Sequence, residues 1–116
     1  MAEHAESEAP REACGLLMAR ADPRRMLQGQ NVQDALHAID SRRPSATEAY
    51  CFDQETLCEL ARALAGGWDL LAIYHSHTNG FLGPSHPDRQ AAAPRHEPLY
   101  PGAAYLVLAQ AEQRDR

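Results

Sequence analysis

Apolar positions fall into short runs separated by polar and turn-forming residues. ACGLLMA at 13–19 has the length of a buried strand, and MLQGQNVQ at 26–33 is placed to pair back on it as a hairpin. DLLAIYHSH at 69–77 is apolar enough for a central strand, and AYLVLAQ at 104–110 gives the last strand. TEAYCFD at 47–53 alternates apolar and polar residues, which indicates a half-buried strand.

Three helices are predicted from the remaining segments. Residues 1–9 are rich in Ala and Glu, and QETLCELARALAGG repeats leucines at helical spacing between an Asp53 cap and a Gly-Gly end. Ser85 opens a short helix that reaches about residue 93. Segment 37–46 is predicted to be a loop. Together these elements predict an α/β fold with a mixed β-sheet flanked by helices.

Length and charge exclude several classes of protein. The 116 residues suffice for one domain, and no apolar run approaches the roughly 18 residues that span a bilayer. The net charge is −5, and the eleven basic residues, all arginine, form no stripe. A nucleic-acid partner is therefore not expected, and neither is a membrane.

The cysteines and the N-terminus indicate a cytoplasmic protein. There are 3 cysteines, an odd number, and none belongs to a CxxC motif. The opening MAEHAESEAP is acidic and lacks the basic-then-apolar order of a secretory signal. Reduced thiols are expected.

The segment YHSHTNGFLGPSHPDRQAA at 74–92 contains the candidate chemistry. Residues on a strand alternate between faces, so His75 and His77 point the same way, about 7 Å apart along the chain. Two imidazoles in this arrangement suit zinc. A catalytic zinc also needs a third protein ligand and an open position, and Asp88 is available as that ligand. Ser85 and Asp88 would be the N-cap and N3 residues of the following helix.

A second motif lies upstream, PREACGLL at 10–17. A second pattern follows downstream: H-x-H, seven residues, Ser, two residues and Asp. Together the two motifs resemble those of the JAMM (JAB/MPN-plus) metallopeptidases, and the resemblance covers about residues 4–110. The compact prokaryotic members, which include sulfur-carrier and cysteine-adduct peptidases, are the most similar. The resemblance implies a JAMM/MPN fold with cytidine-deaminase-like architecture.

The resemblance assigns a role to each motif residue. It implies three zinc ligands, namely His75, His77 and Asp88. Glu12 matches the catalytic glutamate, which holds a water molecule and transfers its proton. Ser85 matches the serine that stabilises the oxyanion, and Ser76 matches a position that supports the site structurally.

The implied reaction is hydrolysis of a peptide or isopeptide bond after the C-terminal Gly-Gly of a ubiquitin-like protein, here a sulfur carrier. Residues without side chains can thread a narrow groove. The alternative is a non-catalytic scaffold of the same fold, but such relatives usually lack a ligand that this chain keeps. A DNA-repair-associated branch shares the His and Asp pattern, and it normally lacks the PREACGLL element.

Each residue also has a simpler interpretation. Ser85 and Asp88 fit a helix capping box, which is common. Glu12, without its motif, would be a solvated surface charge. Cys14 could be a nucleophile beside His75, but a small buried strand residue is more typical. His86 is more typical of an exposed helix start than of a ligand.

Both ends are short for the family. We expect a single JAMM/MPN-like domain over 1–116 that lacks the usual first and last strands. A missing strand leaves a sheet edge unpaired, so a homodimer or swapped assembly is expected to cover it.

Overall fold

The computed structural model describes residues 1–20, 23–77, 100 and 102–109. In these residues four strands form one sheet in the order β2-β1-β3-β4, and they are β1 Cys14–Ala19, β2 Arg24–Gly29, β3 Asp69–His77 and β4 Ala104–Ala109. β1 is antiparallel to both β2 and β3, and β3 is parallel to β4. The sheet is therefore mixed, which confirms the predicted α/β class.

Three helices are present in the described residues, α1 Ala2–Glu8, α2 Gln33–Ile39 and α3 Gln54–Ala65. α3 begins as predicted, because the Asp53 carboxylate accepts a hydrogen bond from the Thr56 N–H at 3.1 Å. Its buried face, Leu60 and Ala63, packs in a core with Leu16, Met18 and Ile73. No helix among the described residues is long and apolar enough to span a bilayer.

Two predicted elements between β2 and α3 are wrong. The predicted hairpin partner of β1 is confirmed as β2, but it ends at Gly29, and α2 begins at Gln33 and covers the start of the predicted loop. Val32, Leu36 and Ile39 already have helical spacing, which the loop interpretation overlooked. Segment 47–53 is not a strand, and its Phe52 makes only an isolated bridge to Asn31. Its alternation instead reflects an edge-to-face aromatic pair two residues apart, with ring centroids separated by 5.7 Å.

α1 is held against the sheet by one buried tyrosine. Tyr74 of β3 lies opposite Gly15 of β1, and a Cβ atom at Gly15 would lie 2.1 Å from the tyrosine ring. The absence of a side chain at Gly15 lets the ring cross β1 and reach His4 of α1. The Tyr74 hydroxyl and His4 Nδ1 are 2.8 Å apart. This contact fixes the helix that leads into the PREACGLL segment.

The His4–Tyr74 pair contains a neutral imidazole. Burial is the main cause of the lowered pKa of His4, and it outweighs the carboxylate of Glu8, which raises that pKa. Burial also raises the pKa of Tyr74 to about 12, so the phenol keeps its proton. We therefore assign the phenol as the donor and His4 Nδ1 as the acceptor. Nε2 then carries the proton and faces Glu8 at 3.8 Å.

Acidification should weaken the fold through His4. Below about pH 6.5 the unfolded chain binds a proton at this position more readily than the folded chain, so the free energy of unfolding decreases as the pH falls. Above that pH the imidazole is neutral in both states and contributes no slope. Urea titrations between pH 7.5 and pH 5 measure this slope, and it should be shallower in His4→Gln. The remaining titratable groups are common to both proteins, so equal slopes would contradict the assignment.

Candidate functional site

Three buried polar side chains meet where β1 begins and β3 ends. Glu12 is 3% exposed, His75 is 1% exposed and His77 is 3% exposed. One ligand atom from each lies within 4.8 Å of the others. The Nε2 atoms of the two histidines are 3.1 Å apart, so both rings are directed at one point. The structure thus brings together three of the five predicted site residues.

Strand pairing explains this meeting. His75 and His77 share a face of β3 because strand side chains alternate. Cys14, the first residue of β1, is the register partner of His75, so the residues before β1 lie beside the histidine pair.

Ser76 fastens the two strands at this level. Its N–H donates to the Ala13 carbonyl at 3.0 Å, and its Oγ accepts from the Ala13 N–H at 2.8 Å. These two bonds hold the peptide next to Glu12 against the strand that carries the histidines. The supporting role expected for Ser76 therefore has a defined geometry.

The backbone of Glu12 is also held on its other side. Its N–H donates to the Ala46 carbonyl at 2.7 Å, and its carbonyl accepts from Asn31 Nδ2 at 2.8 Å. Both partners belong to the connection between β2 and α3. A glutamate that would be a solvated surface charge without its motif is in this way fixed inside the protein.

Tyr50 completes the wall of the site. Its ring stacks on the His75 imidazole with the centroids 4.6 Å apart and the planes inclined by 23°. The imidazole is thus packed on one face by the tyrosine and faces His77 with its Nε2 edge. Sequence reasoning missed this residue, because nothing along the chain links position 50 to position 75.

The donor set fits a divalent metal ion. Two nitrogen ligands of a tetrahedral zinc, each about 2.0–2.1 Å from the metal, are separated by about 3.3 Å. The 3.1 Å between the two Nε2 atoms is close to that value. Imidazole nitrogen together with carboxylate oxygen is a donor set used by zinc and by other first-row metals. His75 and His77 can therefore bind a metal ion, and a carboxylate oxygen of Glu12 lies within 4.8 Å of their ligand atoms.

Two predicted site residues, Ser85 and Asp88, lie outside the described residues, as do the loop TNGFLGP, the predicted helix over 85–93 and His86. Their proposed roles stay predictions from the motif.

Cys14 is a packing residue. Its side chain is fully buried, and burial, followed by the negative charge of Asp53, raises its thiol pKa to about 12. Because the thiolate is the reactive form, a thiol with this pKa is inert at neutral pH. The interpretation of Cys14 as a small buried strand residue is confirmed.

The proteins that resemble this chain include two curated proteins and one solved structure. It is 29% identical to the desampylase of Haloferax volcanii over 106 residues, which cover 90% of the chain and 67% of that protein. It is 37% identical to the "Probable TtuB-protein conjugate cleaving protease" of Thermus thermophilus over 90 residues, 77% of the chain and 54% of that protein. The solution structure of protein DSY2949 from Desulfitobacterium hafniense matches with a TM-score of 0.59 and 27% identity, covering 90% of this chain and 64% of that one.

The chain thus spans between about half and two thirds of the length of these relatives. The family model described as prokaryotic homologues of the JAB domain matches residues 1–116. The matched region includes the PREACGLL segment and both histidines. The chain therefore belongs to the prokaryotic JAB family.

Proposed function

We propose that this protein is a zinc-dependent peptidase that hydrolyses the peptide or isopeptide bond after the C-terminal Gly-Gly of a ubiquitin-like protein, a sulfur carrier. The observation that carries the proposal is the convergence of His75 and His77 on one point beside the buried Glu12. The names of the two curated relatives, a desampylase and a TtuB-conjugate protease, support the choice of substrate class.

The metal would be held by His75 and His77, with Asp88 as the third protein ligand. Zinc bound there would acidify a coordinated water to a pKa of about 7 and polarise the scissile carbonyl. The stacked Tyr50 ring would keep the His75 imidazole in the orientation that binding needs.

Glu12 is the proposed general base and then the general acid. Its carboxylate would take one proton from the attacking water as the new C–O bond forms. The same proton would pass to the nitrogen of the leaving group as the C–N bond breaks, which releases the amine and the Gly-Gly carboxylic acid. The acid then loses the second proton of the water to solvent at neutral pH. Two backbone hydrogen bonds hold Glu12 in place, so the carboxylate is positioned before the substrate arrives.

The Ser85 hydroxyl is proposed to donate a hydrogen bond to the oxygen on which negative charge develops. A donor aimed at that position stabilises the transition state more than the substrate.

The burial of the site supports a thin substrate. Because His75 and His77 are almost fully covered, only a narrow extended segment would reach them. A Gly-Gly tail has this form, since glycine adds no side chain to the width of the backbone.

We also propose a cytoplasmic protein without nucleic-acid or membrane partners. The cysteines in the described residues are free thiols, which supports a reducing compartment. We further propose one JAMM/MPN-like domain over 1–116, with a second copy covering the outer edge of β2.

A cleavage assay tests the proposed function. The zinc-loaded protein is mixed with ubiquitin-like sulfur-carrier proteins whose Gly-Gly end is fused to a short peptide, and products are identified by mass spectrometry. We expect one cut directly after the second glycine, its loss with a chelator, and its recovery with added zinc. Replacing the last glycine of the tail by alanine should reduce the rate at least about tenfold, since the groove must then accept a side chain.

Two results would count against the proposal. Equal cleavage of the alanine tail would remove the Gly-Gly specificity. A folded, zinc-loaded protein that cuts none of the fusions would favour the alternative, a non-catalytic scaffold.

A further inference from the structure

The half-buried Asn31 uses its whole hydrogen-bonding capacity on the backbone around the site. Its Nδ2 donates to the carbonyls of Glu12 at 2.8 Å and Ala49 at 3.0 Å. Its Oδ1 accepts from the N–H groups of Gln33 at 3.0 Å and Cys51 at 3.1 Å. A primary amide has two donor hydrogens and two acceptor lone pairs, and here all four are used.

The chemistry of these contacts requires an amide. Nδ2 meets only carbonyl oxygens and Oδ1 meets only N–H groups, which also fixes the orientation of the side chain. An aspartate of the same shape would place an oxygen 2.8–3.0 Å from two carbonyl oxygens.

These bonds lead to two parts of the candidate site. One holds the carbonyl of Glu12 itself. Two others hold the peptide groups on either side of Tyr50, through the Ala49 carbonyl and the Cys51 N–H. Tyr50 in turn stacks on His75. One side chain thus links the proposed base and the packing of a proposed ligand.

We propose that Asn31 is a positioning residue that sets Glu12 and the Tyr50–His75 stack relative to each other. It acts through these residues and need not touch the substrate. The inference rests on the function proposed above for Glu12 and His75. The inference also assigns a structural role to the connection between β2 and α3, residues 30–53, which folds back around this amide.

Small displacements at such a site have large effects on rate. A general base must lie within about 2.6–3.2 Å of the atom that carries the proton it takes, and a shift of about 1 Å can cost a factor of 100. Asn31→Asp should therefore lower kcat about 10- to 100-fold and leave KM within about threefold. Zinc affinity should fall about tenfold, as when a group that orients a ligand is removed.

Gln33→Met supplies a matched control. The buried Gln33 side chain donates one hydrogen bond, from Nε2 to the Pro44 carbonyl at 3.0 Å. Both residues belong to the connection between β2 and α3. Its bond to Asn31 comes from the backbone and survives the substitution. This variant loses a buried hydrogen bond without a direct change at Glu12 or Tyr50, so kcat and zinc affinity should stay within about twofold of wild type.

A second readout needs neither metal nor activity. NMR signals of the Tyr50 and His75 rings are recorded in the zinc-free wild type and in both variants. Asn31→Asp should shift both sets of signals and Gln33→Met should leave them in place. If the wild type neither binds zinc nor cleaves, the proposed function fails, and these spectra still decide whether Asn31 positions the two rings.

A folded Asn31→Asp protein with wild-type kcat, zinc affinity and ring signals would overturn the inference. If that variant does not fold, Asn31→Ser takes its place, because the shorter hydroxyl carries no added charge and cannot span the same partners. Wild-type values in folded Asn31→Ser would reject the inference equally, and losses confined to the Asn31 variants would support it.

Discussion

Replacing Glu12 by glutamine should lower kcat for Gly-Gly fusion cleavage by about 10²- to 10⁴-fold, the usual contribution of a general acid–base group. Glutamine has nearly the same shape, but its amide cannot take a proton from water at neutral pH. The backbone bonds of residue 12 to Ala46 and Asn31 do not involve the side chain, so the fold should persist. Single-turnover kinetics at saturating substrate measure the loss.

Glu48→Gln is the matched control for this substitution. Glu48 is exposed and lies on the loop that also supplies the Ala46 carbonyl. Its substitution therefore removes one negative charge near the site without changing the Glu12, His75 and His77 cluster. Its kcat should equal that of the wild type. Zinc content and thermal unfolding are compared in all three proteins. A Glu12→Gln enzyme that keeps more than about a tenth of the wild-type kcat would show that another group transfers the proton.

The sequence predicted correctly those features that depend on a few consecutive residues. The alternation of DLLAIYHSH placed both histidines on one face, and the Asp53 cap with leucine spacing located α3. In each case the information lies within a few consecutive residues. The alternation pattern was enough to predict that the two imidazoles converge, and their Nε2 atoms are 3.1 Å apart.

The position of Glu12 could be predicted only through its motif. An isolated glutamate is usually solvated, yet this one is almost fully buried. Its burial depends on partners distant in sequence, Ser76 through Ala13 on one side and Asn31 on the other. No periodicity in PREACGLL reports those partners.

The connection between β2 and α3 was also predicted poorly, because its hydrogen-bond partners are set by the fold and not by a local pattern. The Ala49 carbonyl and the Cys51 N–H are bonded to the Asn31 side chain and not to a neighbouring strand, so the apolar alternation of this segment does not make a strand. Tyr50 points to His75 as a result. A single side chain such as Asn31 that bonds several backbone groups produces no regular pattern in the sequence.

Replacing His77 by alanine should abolish zinc binding. A catalytic zinc has three protein ligands, and two of those proposed here are the histidines whose Nε2 atoms converge. With one imidazole removed, two protein ligands are left, which is too few to retain zinc against a chelator. Elemental mass spectrometry of untagged protein should give about one zinc per chain for the wild type and less than about a tenth for the variant.

His37→Ala is the control for the loss of an imidazole. His37 lies on α2, where its Nδ1 is 2.6 Å from the Arg43 carbonyl, and it does not belong to the described metal cluster. This variant should keep one zinc, and circular dichroism should show that both variants fold. Equal zinc in His77→Ala and wild type would remove His77 as a ligand. A well-folded wild type without zinc would instead favour the scaffold, since the chemistry proposed for Glu12 depends on an ion held by this pair of histidines.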